Sequence, residues 1–319
     1  MARLKGLFDP YIIALLGTVA LASLLPARGP AATFFDYAAD AGVVLLFFLH
    51  GAKLSREAIL SGAGNWRLHL AVLGTTFLIF PLLGLGIAAI PGLSPVVATG
   101  MLFLTLLPST VQSSIAFTAI ARGNVAAAVC SASFSNLIGI FITPALVALL
   151  MGKAGGDGVS FSSIEKIVLQ LLLPFLAGHF LRPWIGGFVA RHKAMITYVD
   201  RGSILLIVYT AFSAAVVEGL WHQMPVPTLA VIFGLSALLL AVVLTFTRTM
   251  GRLLGLSRED AIVLLFCGSK KSLASGVPMA GVLFPAAVVG QVILPLMLFH
   301  QLQLIACALI ARHFAAQPE

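Results

Sequence analysis

The stretch Gly268-Ser269-Lys270-Lys271-Ser272-Leu273-Ala274 interrupts an apolar run that extends from 259 to 283. A lysine in the middle of such a run is costly to place in a membrane and usually has a function there. The glycine and the serines beside it weaken a helix, so the run is predicted to be a membrane span that is broken near its middle. Backbone groups freed at that depth are tolerated where they line a wet cavity or bind a ligand.

A second stretch of the same character is Pro108-Ser109-Thr110-Val111-Gln112-Ser113-Ser114-Ile115-Ala116, inside the apolar run 95–121. Pro108 removes a backbone donor from the middle of that run. When the two stretches are aligned with a gap of two residues, they share one pattern: a small residue with serine, then a polar residue, a serine, an aliphatic residue and an alanine. Either stretch alone could be a kinked packing helix whose serines bond to their own turn. The matched pair instead indicates half-helices whose N-termini face anions and whose C-termini face cations.

The composition sets the class of protein. Of the 319 residues, 60% are hydrophobic and 9% are charged, against about 25% charged in an ordinary soluble domain. The mean hydropathy is +1.08. This content excludes a disordered chain, and three cysteines are too few for a secreted disulfide scaffold. The composition therefore predicts an all-α polytopic membrane protein.

Ten transmembrane helices are predicted from the apolar runs, at roughly 8–26, 37–54, 68–90, 95–121, 124–151, 164–183, 198–219, 227–247, 259–283 and 286–311. Fourteen of the 19 Lys and Arg residues then fall on one side of the membrane, three on the other and two inside a span. This bias predicts a multi-pass protein of the cell (inner) membrane with both termini cytoplasmic. The basic residues form no continuous face, so nucleic acid is not an expected partner. The N-terminal run also resembles a signal peptide, an alternative that leaves nine spans.

Five spans precede the linker at 152–158 and five follow it. An odd number of spans in each half makes the two halves insert with opposite orientation. The prediction is therefore two inverted five-helix repeats, residues 1–152 for spans 1–5 and residues 158–319 for spans 6–10.

The last span of each half carries further polar side chains. In span 5, Ser131 and Ser135 are four residues apart and share a helix face with Asn136 beside them. Their oxygens suit a small alkali cation or a polar substrate group, although small residues also let membrane helices pack closely. Span 10 has His300, Gln301 and Gln303 in the equivalent late position. Histidines near span ends are interpreted as interface residues: His69, His179, His222 and His313.

At these segments the chain resembles the bile acid:sodium symporter family, in its divergent SBF-like branch. The likeness covers essentially the whole chain, and it is strongest at 47–55, 107–114, 122–124, 131–137 and 266–273. It implies a panel domain from spans 1, 2, 6 and 7 and a core domain from spans 3–5 and 8–10. Spans 4 and 9 would be broken and would cross at the centre of the core. By position, the sodium ligands of the family fall on Ser113, Ser114, Ser131, Ser135, Asn136 and Ser269.

This sequence departs from the family at one point. The characterised branch has a glutamate and a Gln-Asn pair in broken span 9. Here Phe266, Cys267 and Gly268 supply no carboxylate, and Lys270-Lys271 occupy roughly the Gln-Asn position. Two like charges about 4 Å apart at an effective dielectric of ~20 repel by about 4 kcal/mol. The lysines therefore oppose sodium binding at the usual place, unless they point away from it or are neutral.

The sequence predicts a secondary active transporter of a small organic anion that works by alternating access. The candidate substrate-binding residues are Ser109, Thr110, Gln112, Lys270, Lys271, Ser272 and His300. Coupling is to a cation, with Na+ as the ion that the resemblance implies. The alternative is a proton-coupled or uncoupled carrier in which Lys270 or Lys271 replaces the sodium ion. A non-transporting membrane regulator is the alternative of another class. No enzyme is predicted, because HExxH, CxxC and Gly-x-Ser-x-Gly patterns are absent.

Overall fold

The computed structural model describes residues 10–53, 64–151 and 168–317, and every regular element in these ranges is a helix. The helices are α1 (Pro10–Leu24), α2 (Pro30–Lys53), α3 (Trp66–Ala88), α4 (Pro95–Leu106), α5 (Gln112–Ile120), α6 (Val125–Met151), α7 (Val168–Arg191), α8 (Lys193–Val217), α9 (Leu220–Gln223), α10 (Val226–Leu253), α11 (Arg258–Gly268), α12 (Leu273–Leu283) and α13 (Ala286–Ala315). A π-helical turn, Thr75–Ile79, lies inside α3, and another, Val168–Leu172, begins α7.

Seven helices of the described chain are long and apolar enough to cross a membrane: α2, α3, α6, α7, α8, α10 and α13. Large apolar side chains are exposed along them; Trp184 and Val226, for example, are 76% and 77% exposed. An apolar exterior is what lipid tails favour, and helices satisfy their own backbone groups in lipid. The chain is therefore a multi-pass membrane protein.

The apolar runs of the sequence locate these helices, but they place several ends wrongly. The run at 37–54 begins seven residues into α2, which starts at Pro30. The run at 164–183 ends eight residues before the end of α7, which continues to Arg191. Helices extend by polar turns beyond their apolar part, and hydropathy does not detect these turns. The linker at 152–158 lies outside the described residues.

Side-chain caps fix the start of three helices. Asn65 accepts a hydrogen bond from Leu68 N at the start of α3, and Asn124 accepts one from Ala127 N at the start of α6. Ser257 accepts from Asp260 N at the start of α11. The carboxylate of Asp260 then accepts from both Asn65 (2.7 Å) and Asn124 (3.0 Å). One carboxylate thus joins three helix N-termini, where a negative charge is favourable.

The chain divides into two compact units. One combines the described residues within Met1–Leu54, Asp157–Pro225 and Val277–Gln291, and the other those within Ser55–Gly156, Val226–Gly276 and Val292–Glu319. The first unit thus contains α1, α2, α7, α8 and α9, most of α12 and the start of α13. The second, which we call the site unit, contains α3–α6, α10, α11, the start of α12 and most of α13.

In the first unit, α2 and α7 pack with their backbones in contact. A Cβ added at Gly51 would overlap the backbone of Phe175, and one added at Gly178 would overlap the backbone of Phe48. Small residues at such positions allow the close approach that drives helix association in membranes. Lys53, the last residue of α2, forms an ion pair with Asp200 of α8.

In the site unit, two apolar clusters surround α11. The first contains Leu68, Val72, Ala127, Ala128, Ala132, Val263, Leu264 and Cys267, and the second contains Ala121, Ile262, Leu265, Phe266, Cys307 and Ala311. All three cysteines of the chain (Cys130, Cys267 and Cys307) are free and buried in this unit. Packing on both sides therefore holds α11 at the centre of the site unit.

Candidate functional site

The first helix break lies between Leu106, where α4 ends, and Gln112, where α5 begins. A helix end leaves its last carbonyls without partners, and here each of five consecutive carbonyls has one. Those of Thr105 and Leu107 accept from Lys271, and that of Leu106 accepts from Thr143. The carbonyl of Pro108 accepts from Ser272 N, and that of Ser109 from Asn136. The first break is therefore saturated with donors from Lys271 and Ser272, which lie outside the regular helices, and from α6.

The second break lies between Gly268, where α11 ends, and Leu273, where α12 begins. Side chains of the first break donate to its carbonyls: Ser109 Oγ to Cys267 O (2.5 Å) and Ser114 Oγ to Phe266 O (3.1 Å). In return, Ser272 N donates to Pro108 O at 2.9 Å. The two breaks are thus joined directly by hydrogen bonds. Ser109 and Cys267, for example, are 158 residues apart in the sequence.

Each break is also held by an amide side chain from the last long helix of its own half of the chain. Asn136 on α6 donates to Ser109 O (2.7 Å) and accepts from Ser275 Oγ. Gln303 on α13 accepts from Lys271 N and donates to Lys271 O, both at 2.9 Å. An amide can donate and accept at once, which is what two exposed backbone groups require.

The ammonium of Lys271 lies among three backbone carbonyl oxygens, which we call the carbonyl cage. Nζ donates to Thr76 O (2.8 Å), Thr105 O (2.8 Å) and Leu107 O (2.7 Å). The ring centroid of Phe80 lies 4.1 Å from the same nitrogen, a distance at which an aromatic face attracts a cation. Lys271 is fully buried, and its side chain is nevertheless fully hydrogen-bonded.

The ammonium of Lys270 has different surroundings. Nζ is buried and has no hydrogen-bond partner among the described residues. It lies over two aromatic rings, 4.2 Å from the centroid of Phe117 and 5.3 Å from that of Phe266. Phe266 belongs to the apolar cluster around Cys307, and Phe117 packs against that cluster. Two adjacent lysines of one break therefore occupy a polar site and an apolar site.

The described part of the site unit holds few carboxylates to balance these lysines. Glu259 and Asp260 are the only two, and both lie in the first turn of α11, at the other end of that helix from the break. Asp260 is already bonded to two asparagines. Among the described residues of the site unit, the second break therefore has two lysines and no neighbouring carboxylate.

The predicted substrate-binding residues lie at the two breaks or near them. Ser109, Thr110, Lys270, Lys271 and Ser272 are buried, Gln112 is exposed, and His300 is half-buried beside Gln303 at 2.8 Å. Ser272 caps α12 by accepting from Ser275 N. The start of α5, at Gln112, has no side-chain cap.

The predicted ion ligands lie in several separate hydrogen-bonded groups. Ser135 and Asn136 meet at Ser109, because Ser135 Oγ accepts from Ser109 N at 2.9 Å. Ser113 pairs with Thr110, and Ser269 donates back to Leu265 O. Ser114 reaches Phe266 O, and Ser131 pairs with His69. These residues line α5, α6 and the second break without sharing one centre in the hydrogen bonds described.

His69, interpreted from the sequence as an interface residue, is covered by protein. It is only 5% exposed, and its Nδ1 lies 2.8 Å from Ser131 Oγ. It lies near the start of α3, where the sequence pattern of an interface residue and of a buried one is the same. The neighbouring helix α6 covers it, since Phe134 packs edge-on against its ring.

Several groups at the site are not among the binding residues predicted from the sequence. Thr76 supplies a cage carbonyl from the π-helical turn of α3, and π-turns inside helices are frequent at functional sites. Thr143, Ser275 and Gln303 satisfy backbone or amide groups of the breaks. Gln303 had a visible signal, because it falls late in span 10 as Asn136 does in span 5. The backbone carbonyl of Thr76 had none.

Comparison with known protein families gives one match that covers nearly the whole chain, since residues 9–316 fit the SBF-like CPA transporter family. The chain belongs to this family. The resemblance that the broken-span motifs indicate is therefore confirmed, and the protein is a membrane transporter by family rather than an enzyme.

Relatives of known sequence agree. An uncharacterised protein of Pseudomonas aeruginosa is 55% identical over 319 residues, which is 99% of this chain and 95% of that one. YfeH of Escherichia coli K12, which is provisionally named a symporter, is 52% identical over 99% of this chain and 96% of its own. The sodium/bile acid cotransporter 7 of Rattus norvegicus is 26% identical over 82% of this chain and 78% of its own.

Proposed function

We propose that this protein is a secondary active transporter of a small organic anion that works by alternating access. Its family and the names of its relatives support transport, and the cotransporter 7 name suggests an organic anion such as a bile acid. The second break is the main support for an anionic substrate. Two buried lysines lie there, and the described carboxylates of the site unit are at the far end of α11. A solute with negative charge would meet a favourable potential there.

We place the carrier in the cell (inner) membrane with both termini cytoplasmic, as the distribution of Lys and Arg indicates. Ten spans follow if three more are counted with the seven long helices. These three are α1 and the two broken pairs, α4 with α5 and α11 with α12. Two inverted repeats, 1–152 and 158–319, are supported by the parallel roles of Asn136 and Gln303 at the two breaks. Transport would use the panel and core domains as its two moving parts.

The division of the chain into two compact units supports that assignment. The helices of spans 1, 2, 6 and 7 fall in one unit, and those of spans 3–5 and 8 fall in the other. Spans 9 and 10 are shared, because 277–291 group with the first unit and the remainder with the site unit. The candidate substrate and ion residues all belong to the site unit.

The exposed start of α5 is the proposed contact for the anion. Gln112 is accessible, and the N–H groups of the first turn of α5 lack a side-chain cap. Helix N-termini attract anions because their N–H groups are free and the helix dipole is positive there. Thr110 and Ser113, which bond to each other at 2.5 Å, add hydroxyls at the same place.

Two forms of coupling fit this proposal. In the first, a cation such as Na+ binds among Ser113, Ser114, Ser131, Ser135, Asn136 and Ser269, as the sodium in the name of the cotransporter 7 relatives suggests. In the second, a proton or no ion is used, and a lysine of the second break stands in for the cation. The positions of Lys270 and Lys271 favour the second form.

The test is a stability screen followed by an uptake assay. Purified protein is melted with small carboxylates, sulfonates, sulfates and taurocholate, with and without sodium and at two pH values. We expect at least one anion to raise the melting temperature saturably and to accumulate in proteoliposomes that contain the protein. Gln112→Ala should weaken that binding, whereas Thr249→Ala, at an exposed position of α10, should not. Binding without accumulation by any solute would instead support a non-transporting regulator.

A further inference from the structure

The carbonyl cage is assembled from two helices that irregular backbone has opened. Thr76 O comes from the π-helical turn of α3. Thr105 O comes from the last turn of α4, and Leu107 O comes from the residue after α4 ends. A regular helix would engage such carbonyls with its own N–H groups. The irregular turns leave these three free to face one point, which is where Nζ of Lys271 lies.

The number of acceptors determines the state of the lysine. Three carbonyl oxygens lie within 2.7–2.8 Å of Nζ, and a carbonyl oxygen can only accept. A lysine ammonium has three N–H donors, which these three oxygens use completely. The geometry is therefore that of a charged ammonium with every donor satisfied, beside the face of Phe80.

Such a set of oxygens is also one that binds metal cations. Rings of backbone carbonyls replace the water shell of alkali cations in selective channels, and unwound carbonyls of broken helices coordinate Na+ in carriers. A tethered ammonium and a free alkali cation would compete for the same oxygens, and the like charges would repel.

We propose that Lys271 is a built-in cation that permanently occupies this carbonyl site, so that the protein needs no alkali cation there. This inference rests on the proposed function only where it describes the coupling of the carrier. Within the second form, which uses no sodium, it assigns the role of the cation to Lys271. Lys270 does not share the role, because its Nζ has no hydrogen-bond partner in the part of the chain that the structure describes and lies over two aromatic rings.

The consequence is that Lys271→Ala creates a vacant site for a primary ammonium ion. The substitution removes a stem and an ammonium that n-propylammonium reproduces in full. Tetramethylammonium has the same charge but no N–H donor, so it cannot bond to the three carbonyls. Lys270→Ala is the matched control, because it removes the same atoms from the adjacent residue.

The experiment measures the melting temperature of the whole protein, purified in each salt, with a thiol-reactive dye that reports exposure of the buried cysteines. Sodium, potassium, choline, n-propylammonium and tetramethylammonium chlorides are compared at equal ionic strength. We expect the unmodified protein to melt at the same temperature in sodium, potassium and choline. Lys271→Ala should melt about 5 °C or more lower, and n-propylammonium should restore a large part of the loss. Tetramethylammonium should restore none, and Lys270→Ala should not respond to n-propylammonium.

Two results would overturn the inference. One is a saturable rise in the melting temperature of the unmodified protein that is specific to sodium. The other is a Lys271→Ala protein that folds but responds neither to n-propylammonium nor to alkali cations. If Lys271→Ala does not fold, the sodium titration of the unmodified protein decides, together with Lys271→Met, which keeps the length of the stem without the donors. None of these measurements uses transport, so the transporter proposal stands or falls separately in the uptake assay.

Discussion

The two helix breaks of the site unit have opposite chemistry. The first, between Leu106 and Gln112, is uncharged and offers backbone carbonyls, because Pro108 and the end of α4 leave acceptors without partners. The second, between Gly268 and Leu273, contains two lysines. It offers the ammonium of Lys271 and the N–H of Ser272 as donors, and Cys267 O beside it accepts from Ser109 of the first break. Each break therefore supplies what the other lacks. A pair of broken helices can be stable in a membrane when its members complement each other, since lipid cannot satisfy either of them.

The amides tie each break to the last long helix of its half, and removing them should have the largest effect. Gln303→Leu leaves both Lys271 N and Lys271 O without partners at a fully buried position. We expect a loss of about 2–4 kcal/mol of stability, since each buried unsatisfied group costs about 1–3 kcal/mol. Asn136→Leu should cost less, because Asn136 is only partly buried. Thermal unfolding followed through the buried thiols would measure both.

Gln301 is the matched control for that prediction. It lies two residues from Gln303 on the same helix, and its Nε2 is buried without a hydrogen-bond partner among the described residues. Gln301→Leu should therefore be neutral or stabilising. A loss equal to that of Gln303→Leu would show that the polar character of α13, and not the clamp on Lys271, determines the stability.

A glycine packs closely against residues of each break, and replacing it with alanine should have an intermediate effect on stability. A Cβ at Gly139 would lie 2.7 Å from Cβ of Pro108, a rigid ring at the first break. A Cβ at Gly276, after the second break, would meet the side chains of Leu107 and Leu296, which can rotate. Overpacking costs about 1–3 kcal/mol, so Gly139→Ala should cost more than Gly276→Ala in the same thermal assay.

A glycine of α10 provides the reference for these two variants. Gly234 has nothing within 4 Å of an added Cβ. Gly234→Ala should therefore raise the melting temperature slightly, because alanine favours a helix by about 1 kcal/mol over glycine. Equal losses at Gly139 and Gly276 would contradict the view that the rigidity of Pro108 distinguishes the two positions.

The smallest effect is expected at the cap of the second break. Ser272 accepts from Ser275 N at the start of α12, and loss of a serine cap costs about 1 kcal/mol. Ser272→Ala should therefore lower the melting temperature by a few degrees at most. Ser269→Ala is the control, because Ser269 Oγ donates back to Leu265 O of α11 and does not cap α12. If both variants melt together with the unmodified protein, the cap does not order the second break.

Much of this site could be predicted from the sequence. Pro108 and the cluster from Gly268 to Ser272 mark both breaks, because a proline or a run of small polar residues is incompatible with an uninterrupted apolar helix. Asn136 and Gln303 stand out as amides in apolar spans. Each of these signals depends only on neighbouring residues, so it can be read from the sequence alone.

The partners of these residues could not be predicted. His69 pairs with Ser131 across 62 residues, and Lys271 reaches Thr76 across 195. Backbone carbonyls such as that of Thr76 carry no side-chain signature, and the π-turn that frees it looks like any apolar run. The sequence also treats Lys270 and Lys271 as equals, since they are adjacent and identical.

The amino-acid sequence by itself determined that this is a polytopic membrane protein with two interrupted spans, because apolar content and helix-breaking residues act on their own stretch of chain. Only the tertiary structure decided that Lys271 meets three carbonyls while Lys270 meets two aromatic rings. Successive residues in a break point in different directions, so what each one meets depends on helices that lie far away in the chain.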